Sequence, residues 1–208
     1  LRPEINFIIK SISNKLKKSK TGRIIYVGAG TSGRIAVQDG VELYPTFGWP
    51  KNRIDFIIAG GKSSLIGSVE NAEDNIDEAK RMLNELCPNE NDVVIGLAAS
   101  GNTPFTSFVI KEASLSKSLT IGISNNPKGR ILDYANLGLI LSTGSEIVTG
   151  STRLKAGTAQ KITLNLISTM VMVKFNRVKK GQMTHMITSN QKLKDRKLRI
   201  SSFLGSFN

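Results

Sequence analysis

Two turns rich in glycine and hydroxyl side chains are the residues of this sequence best suited to chemistry. The first glycine turn, Gly28-Ala29-Gly30-Thr31-Ser32-Gly33, follows the apolar run Arg23–Val27, and the second glycine turn, Ser100-Gly101-Asn102-Thr103, follows Asp92–Ala98. Backbone N–H groups at a helix start, together with hydroxyl donors, suit a phosphate dianion. Because ligands of parallel sheets bind at the carboxyl ends of strands, we expect both turns to converge on one phosphate.

The first glycine turn also matches the G-x-G-x-x-G pattern of dinucleotide-binding proteins, in the required context of a strand followed by a helix. That pattern needs an acidic residue at the end of the second strand to bind a ribose. Here Asp55 begins the second predicted strand, and Ala59-Gly60-Gly61 ends it. Thr31, Ser32 and Arg34 place hydroxyls and a cation where a phosphate would sit, so a monophosphate fits better. An ordinary glycine turn with a serine N-cap stays open as an alternative.

A third segment that could bind an anion is Thr149-Gly150-Ser151-Thr152-Arg153-Leu154-Lys155, just before a predicted long helix. Arg153 can grip an oxyanion with two parallel hydrogen bonds. Lys155 is a point charge, and a structural role is equally open for it.

Strands and helices alternate along the chain, which predicts an α/β fold with a doubly wound parallel sheet flanked by helices, a three-layer sandwich. The strands are continuously apolar, which predicts burial on both faces. We divide the chain into an N-terminal helix (1–20), one ligand-binding domain (21–200) and a tail (201–208). Predicted helices cover residues 4–19, 33–43, 70–86, 104–116 and 156–175, and predicted strands cover 23–27, 54–59, 92–98, 119–124 and 137–142.

Composition excludes several classes of protein. Of 208 residues, 39% are hydrophobic and 22% are charged, which is ordinary for a soluble globular protein. No apolar stretch approaches the roughly 20 residues that cross a bilayer, and Leu1–Glu4 does not begin a signal peptide, so no membrane partner is expected. The single cysteine, Cys87, excludes an internal disulfide and favours a reducing, cytoplasmic compartment. One histidine and one cysteine argue against a structural zinc site.

The formal net charge of +13 raises the question of nucleic acid. Much of the excess lies in Lys15–Lys20 and Lys192–Arg199, and neither segment interleaves aromatic with basic residues as a base-stacking surface does. We interpret both as solvated basic helix faces and predict no nucleic-acid partner. A basic field also attracts an anionic substrate.

Together the motifs resemble the sugar isomerase (SIS) domain, and most closely the N-acetylmuramic acid 6-phosphate etherases and the related glucokinase regulatory protein. The resemblance covers about residues 22–200. It rests on six ordered segments: 28–34 (GAGTSGR), 45–48 (PTFG), 58–61 (IAGG), 69–74 (VENAED), 98–104 (AASGNTP) and 149–161 (TGSTRLKAGTAQK).

The resemblance implies a SIS-type, flavodoxin-like fold and a lyase that cuts the ether between a 6-phosphorylated muramic acid and its lactyl group. The products are N-acetylglucosamine 6-phosphate and D-lactate, in cell-wall recycling. It further implies a homodimer with the site near the subunit interface, a phosphorylated amino sugar as the small-molecule partner, and no metal or organic cofactor.

By motif position, Glu42 and Glu73 match the two catalytic glutamates of the etherases. The resemblance implies that Glu42 donates a proton to the leaving lactate, and that Glu73 assists at C2 or at ring opening. Without the resemblance, we would interpret Glu42 as a solvated helix residue and Glu73 as an acid at a helix N-terminus, favoured there by the helix dipole. The resemblance also implies a set of residues that bind phosphate or sugar: Gly30, Thr31, Ser32, Ser100, Gly101, Thr103 and Arg153.

The sequence also departs from the etherase pattern. Residues 39–44 (DGVELY) replace the usual small residues and Cys-Pro around the catalytic glutamate, Asn71 replaces a common glycine, and His185 replaces a common aspartate. A lone histidine titrates near neutrality and could act as a base, although most histidines are structural. The chain lacks the family's N-terminal extension and C-terminal helical region, which implies a fragment or a shortened member. A non-catalytic phosphosugar-binding regulator and a sugar-phosphate isomerase stay open as alternatives.

Overall fold

Five parallel strands form the central sheet of the computed structural model, which describes residues 2–205. The strands are β1 (Ile24–Gly28), β2 (Ile54–Ile58), β3 (Val93–Ala98), β4 (Leu119–Ser124) and β5 (Leu137–Ile140), and their order across the sheet is β2-β1-β3-β4-β5. The doubly wound parallel sheet is confirmed. The chain moves outward from β1 to β2 on one side and continues with β3 on the other, so the order reverses between β1 and β3.

Helices cover both faces of the sheet. We call α1 (Pro3–Lys18), α2 (Gly30–Phe47) and α6 (Lys155–Lys174) the first helix layer, in which α6 contacts both α1 and α2. The opposite face packs against α3 (Ile76–Leu86), α4 (Pro104–Leu115) and α5 (Ile131–Tyr134). Each layer buries its own apolar cluster against the sheet, and α1 belongs to the same cluster as α2 and α6. The predicted helices and strands are therefore largely confirmed, with shifts of a few residues at their ends.

The C-terminal part of the described chain has elements that the periodicity did not reveal. A short hairpin of β6 (Val178–Lys179) and β7 (Gln182–Met183) precedes α7 (Gln191–Gly205). The predicted boundary between residues 200 and 201 falls inside α7, and residues 206–208 of the predicted tail, like Leu1, lie outside the described residues. Ile200 is the buried residue of α7, and most of its basic side chains are exposed, as predicted for a solvated helix face. No helix within residues 2–205 is long and apolar enough to cross a membrane.

The helix predicted over residues 70–86 is wrong in its first turn and a half. Ala72–Asp74 forms a single 3-10 turn, and α3 begins only at Ile76. Asn71 has a φ of 55°, which a continuous right-handed helix does not allow. The Asn75 side chain then accepts a hydrogen bond from the Glu78 N–H at 2.9 Å and so caps a new helix.

A buried carboxylate joins the first helix layer to the sheet. Asp39 of α2 is 4% exposed and accepts hydrogen bonds from Tyr26 Oη (2.8 Å) on β1 and from Asn165 Nδ2 (2.8 Å) and Ser168 Oγ (2.9 Å) on α6. Burial, reinforced by the Asp39 charge, raises the pKa of Tyr26 well above its usual 10.0. The three donors fix the relative position of α2, α6 and β1.

Replacing this carboxylate tests its structural role. Asp39→Ala removes the acceptor shared by three donors, of which Tyr26 Oη and Ser168 Oγ are on buried residues, and we expect the free energy of unfolding to fall by about 3 kcal/mol. Urea denaturation measures the change. The exposed Asp74→Ala is the matched control, with an expected effect within about 0.5 kcal/mol. Equal stability of the two variants would contradict the role assigned to Asp39.

Candidate functional site

The two glycine turns leave neighbouring strands at one edge of the sheet. Gly28, the last residue of β1, pairs with Leu97, next to the end of β3, and Ala98 pairs with Ser124 at the end of β4. The order of strands reverses between β1 and β3, and crevices at such points are where ligands of α/β sheets bind. The fold thus brings together the two turns that the sequence singled out.

The first glycine turn carries donors that the protein itself does not use. Helix α2 begins at Gly30, whose φ of +52° suits glycine, and its cap residue Ala29 makes no side-chain capping bond. Thr31 is half-buried and Ser32 is buried, both within the first turn of the helix. Their hydroxyls make no hydrogen bond within residues 2–205, so the serine N-cap alternative does not describe this turn. These hydroxyls and the free N–H groups of the first turn can face an anion.

The second glycine turn is locked in place by the loop that follows β4. Gly101 has a φ of +70°, and a Cβ there would collide with Gly129 Cα and Ser124 Oγ, so only glycine fits. Asn126 Nδ2 donates to the Ser100 carbonyl at 3.0 Å, and the Ile131 N–H donates to the Gly101 carbonyl at 3.0 Å. Thr103 precedes α4, and its hydroxyl makes no capping bond. Ser100 is exposed. Sequence reasoning missed this supporting loop, because residues 125–127 indicated only where a strand ends.

The third segment meets the same edge, but its helix start is already occupied. Glu146 accepts hydrogen bonds from the N–H groups of Lys155 and Ala156, each at 2.9 Å. The bond from Ala156, followed by the bond and charge of Lys155, holds the pKa of Glu146 below its ordinary 4.5. A Cβ added at Gly157 would lie 3.2 Å from Thr31 Cγ2, so the start of α6 lies beside the first glycine turn. The third segment therefore offers a ligand its side chains, above all the exposed Arg153.

Arg34 does not point where a phosphate would sit, and that expectation is wrong. Its Nε donates to the Ser64 carbonyl at 2.9 Å and its Nη2 donates to the Gly67 carbonyl at 2.7 Å. Arg34 lies one turn into α2, past the helix start, and the carbonyls of the segment after β2 are the nearer acceptors. Arg34 therefore holds the segment that leads toward Glu73.

The two predicted catalytic glutamates lie in different places. Glu73 is exposed on the 3-10 turn of residues 72–74, which packs against α4, the helix that follows the second glycine turn. Glu42 is exposed on α2, eleven residues beyond Thr31, which corresponds to about 16 Å along the helix. Its Oε2 accepts a hydrogen bond from Thr46 Oγ1 at 3.4 Å, one turn farther on. The fold packs the Glu73 turn against α4, whereas Glu42 lies about three helical turns from the first glycine turn.

Other polar residues singled out in the sequence lie away from the glycine turns. His185 is exposed, with its Nδ1 2.9 Å from Thr184 Oγ1, and its backbone packs against Gly48 at the far end of α2. Asp55 pairs with Arg23 at 3.2 Å at the amino end of the sheet, so it is no ribose acid. In the described part of the chain, no group of His, Cys, Asp or Glu side chains is arranged to hold a metal ion.

The contacts of Arg34 predict a local effect of its removal. In Arg34→Ala the segment 61–67 loses two charge-assisted hydrogen bonds, and we expect amide exchange at Ile66 and Gly67 to accelerate about tenfold. Hydrogen–deuterium exchange read by NMR measures this. Lys62→Ala removes an exposed positive charge from the same segment and should leave the two rates unchanged. Unaltered exchange in Arg34→Ala would show that the segment does not depend on this side chain.

The lowered pKa of Glu146 predicts a pH-dependent contribution to stability. The folded carboxyl has the lower pKa, so its contribution is present above pH 4.5 and is lost as the pH falls through the folded pKa. We expect Glu146→Gln to melt below the wild type at pH 7, with the gap closing under acidic conditions. Thermal melts over a pH series measure the gap. Glu90→Gln, another exposed position, should show no such dependence, and a gap that persists in acid would refute the assignment.

Comparison with known proteins places the chain in a family. A model of the glucokinase regulatory protein N-terminal SIS domain matches residues 7–113. An N-acetylmuramic acid 6-phosphate etherase of Lactobacillus johnsonii is 46% identical over 93% of this chain and 65% of its own length. An etherase of the same name from Mycoplasma mycoides subsp. mycoides is 42% identical, over 98% of this chain and 67% of its own. The chain thus spans about two thirds of the length of the curated relatives it matches.

Solved structures share the fold at low sequence identity. A phosphoheptose isomerase from Francisella tularensis superposes with a TM-score of 0.63 at 18% identity, over 83% of this chain and 87% of that one. The Vibrio vulnificus NanR protein complexed with ManNAc-6P gives a TM-score of 0.52 at 12% identity, over 96% of this chain and 62% of that one. These likenesses support the SIS fold alone. With the sequence matches, they lead to one conclusion: the chain belongs to the N-acetylmuramic acid 6-phosphate etherase family and is built on its SIS domain.

Proposed function

We propose that this chain is a lyase that cleaves the D-lactyl ether of N-acetylmuramic acid 6-phosphate, giving N-acetylglucosamine 6-phosphate and D-lactate in cell-wall recycling. The observation that carries the proposal is the pairing of two donor-rich glycine turns at adjacent strand ends in a chain of the etherase family. The NanR protein, which has the same fold, was solved in complex with ManNAc-6P, and this supports a phosphosugar ligand.

The binding roles follow from the free donors. Amide groups at the starts of α2 and α4, with the hydroxyls beside them, hold the phosphate, because helix N-termini carry partial positive charge. Glycines let the backbone approach the ligand closely. The exposed guanidinium of Arg153 adds a positive charge at the edge of the site. The residues proposed for binding are Gly30, Thr31, Ser32, Ser100, Gly101, Thr103 and Arg153.

The chemistry is an elimination followed by hydration. In the open-chain sugar the C2 proton lies next to the C1 aldehyde and can be removed by a base. The electron pair of the C2–H bond forms a C2=C3 double bond, the C3–O bond breaks, and an acid protonates the departing lactyl oxygen. Water then adds its hydroxyl to C3 and a proton returns to C2. A carboxyl pair can supply both base and acid when its surroundings tune it.

We assign the two roles to the family's two glutamates. Glu73, on the turn beside α4, takes the C2 proton, and Glu42 protonates the lactyl oxygen. Both side chains are exposed, which leaves them accessible to a ligand. No metal or organic cofactor takes part in this proposal.

We further propose a cytoplasmic homodimer. The apolar side chains of Phe7 (59% exposed) and Ile162 (63% exposed) lie on the outside of the first helix layer. Exposed apolar side chains on one face favour association. The single exposed cysteine, Cys87, is compatible with a reducing compartment.

The second candidate is a non-catalytic phosphosugar-binding regulator, which the match to the glucokinase regulatory protein domain favours. It predicts phosphosugar binding without release of lactate. A sugar-phosphate isomerase, the class of the Francisella tularensis structure, would instead interconvert aldose and ketose phosphates and release no side group.

A lactate assay distinguishes the lyase from the regulator and the isomerase. We expect the wild-type chain to release D-lactate from N-acetylmuramic acid 6-phosphate, and Glu73→Gln to lower kcat at least about 100-fold, because an acid–base group contributes 10²–10⁴-fold. Asp77→Asn, a nearby exposed acid in the first turn of α3, is the control and should retain wild-type turnover. Tight binding of the sugar phosphate without lactate would favour the regulator, and appearance of a ketose phosphate would favour the isomerase.

A further inference from the structure

A pair of side-chain amides joins α6 to the loop that follows β4. Gln160, in the second turn of α6, is completely buried, and its Nε2 donates to Asn125 Oδ1 at 3.0 Å. Asn125 is the first residue after β4. Within residues 2–205, this is the one side-chain hydrogen bond between α6 and the loop of residues 125–130. We call Gln160 and Asn125 the amide bridge.

The amide bridge is connected at each end to a glycine turn. Gly157 lies one turn before Gln160 on the same face of α6, and it lies against Thr31 of the first glycine turn. At the other end, the Asn125 N–H donates to the Ala99 carbonyl at 3.1 Å, and Ala99 directly precedes the second glycine turn. A continuous series of contacts therefore leads from the first glycine turn to the second.

The two turns otherwise belong to separate groups of elements. The first glycine turn is part of α2, which the Asp39 carboxylate joins to α6. The second glycine turn is held by the loop after β4, through Asn126 and through the packing of Gly101 against Gly129. Pairing of β1 with β3 fixes the strands but ends where the turns begin. The amide bridge joins the two groups beyond the end of the sheet.

Hydrogen bonding fixes which way each amide of the bridge faces. Asn125 Nδ2 donates to the Leu141 carbonyl at 3.0 Å. A carbonyl oxygen cannot donate, so Asn125 presents its Oδ1 to Gln160, and Gln160 must present its Nε2. The Gln160 Oε1 atom is thereby turned away from Asn125. Neither a carboxylate nor an apolar side chain at position 160 could supply the N–H that this arrangement needs.

The Oε1 atom of Gln160 is one of three buried side-chain atoms that lack a hydrogen-bond partner within residues 2–205. The other two are Thr106 Oγ1 and Ser107 Oγ. All three lie in the first two turns of α4 or α6, at the edge of the sheet where the glycine turns meet. A buried acceptor without a donor lowers stability, so stability alone would favour an apolar residue at position 160. The placement of Gln160 therefore points to a role in the site.

We propose that Gln160 is a positioning residue of the phosphosugar site, which acts through Asn125 to hold the second glycine turn at the correct distance from the first. This inference rests on the proposed function for the identity of the ligand. A phosphate bound by both turns needs their donors within about 3 Å of its oxygens at the same time. Loss of the bridge lets the second turn shift, which lengthens these hydrogen bonds. Because the phosphate does not react, the loss weakens binding of substrate and transition state alike.

Replacing Gln160 with methionine tests the proposal, because methionine is unbranched, fills a similar space and has no N–H. In Gln160→Met we expect the dissociation constant of N-acetylglucosamine 6-phosphate, measured by isothermal titration calorimetry, to rise about tenfold. With N-acetylmuramic acid 6-phosphate as substrate, KM should rise by a similar factor while kcat stays within about threefold of the wild type.

Ser168→Ala is the matched control on the same helix. It removes a buried hydrogen bond to Asp39 and should lower the melting temperature, while the dissociation constant and KM stay unchanged. Asn125→Leu breaks the bridge from its other end and should reproduce the weaker binding of Gln160→Met. The double variant should bind no more weakly than the weaker single variant, because both changes remove the same interaction.

NMR of the free protein reads the position of the turn without any ligand. The backbone amide signals of Ser100 and Gly101 should shift in Gln160→Met and in Asn125→Leu but stay in place in Ser168→Ala. Unmoved signals in the two bridge variants overturn the proposal, whatever the ligand is.

The binding data can contradict the proposal independently. Unchanged binding in Gln160→Met, additive losses in the double variant, or an equal loss in Ser168→Ala would each show that Gln160 does not position the site. A wild type that binds the sugar phosphate but releases no lactate refutes the lyase function alone, because the dissociation constants still test the amide bridge. The two failures are therefore distinguishable.

Discussion

The parallel pairing of β1 with β3 is the constraint on which the rest of the structure depends. Gly28 is hydrogen-bonded in register with Leu97, so the two glycine turns leave the sheet at the same height and on neighbouring strands. A shift of register by one residue would invert the side chains of a strand buried on both faces, and the continuous apolar runs of β1 and β3 fix it by packing. Helix α2 begins within the first glycine turn, at Gly30, and α4 begins at Pro104, directly after the second glycine turn, so their free N–H groups face one crevice.

The helix starts at this edge are not equivalent, and the difference decides where an anion can bind. At α2 and α4 no side chain caps the helix, and the hydroxyls of Thr31, Ser32 and Thr103 are unpaired within the described residues. At α6 the protein supplies its own anion, since Glu146 accepts the N–H groups of Lys155 and Ala156. A second carboxylate, Asp39, fixes α2 against α6 from within. The carboxylates of Asp39 and Glu146 thus hold α2 and α6 in position, while the N-termini of α2 and α4 stay open to a ligand.

Several site features could be predicted from the sequence because they depend on local residue type. Both glycine turns were expected at strand ends, and the structure places them there. That only glycine fits at position 101 depends instead on the contact with Gly129, in the loop that follows β4. Other features depend on partners far away in the chain. The sequence predicted that Arg34 would face a phosphate. In the fold its guanidinium instead donates to the carbonyls of Ser64 and Gly67. The sequence predicted a helix through Glu73. The structure ends that possibility because Asn71 adopts a left-handed conformation and Asn75 caps α3.

The sequence by itself determined the order of strands and helices, the parallel sheet and the two glycine turns, because apolar runs, helical periodicity and glycine act over a few residues. The resemblance to the etherases also singled out Glu42 and Glu73. Only the tertiary structure decided which of these residues share a crevice. It placed the Glu73 turn against α4 and set Glu42 about 16 Å along α2 from Thr31. The reason is physical: a helix advances about 1.5 Å per residue, so two residues on one helix separate in space with every turn between them, and only tertiary contacts decide which residues of different elements meet.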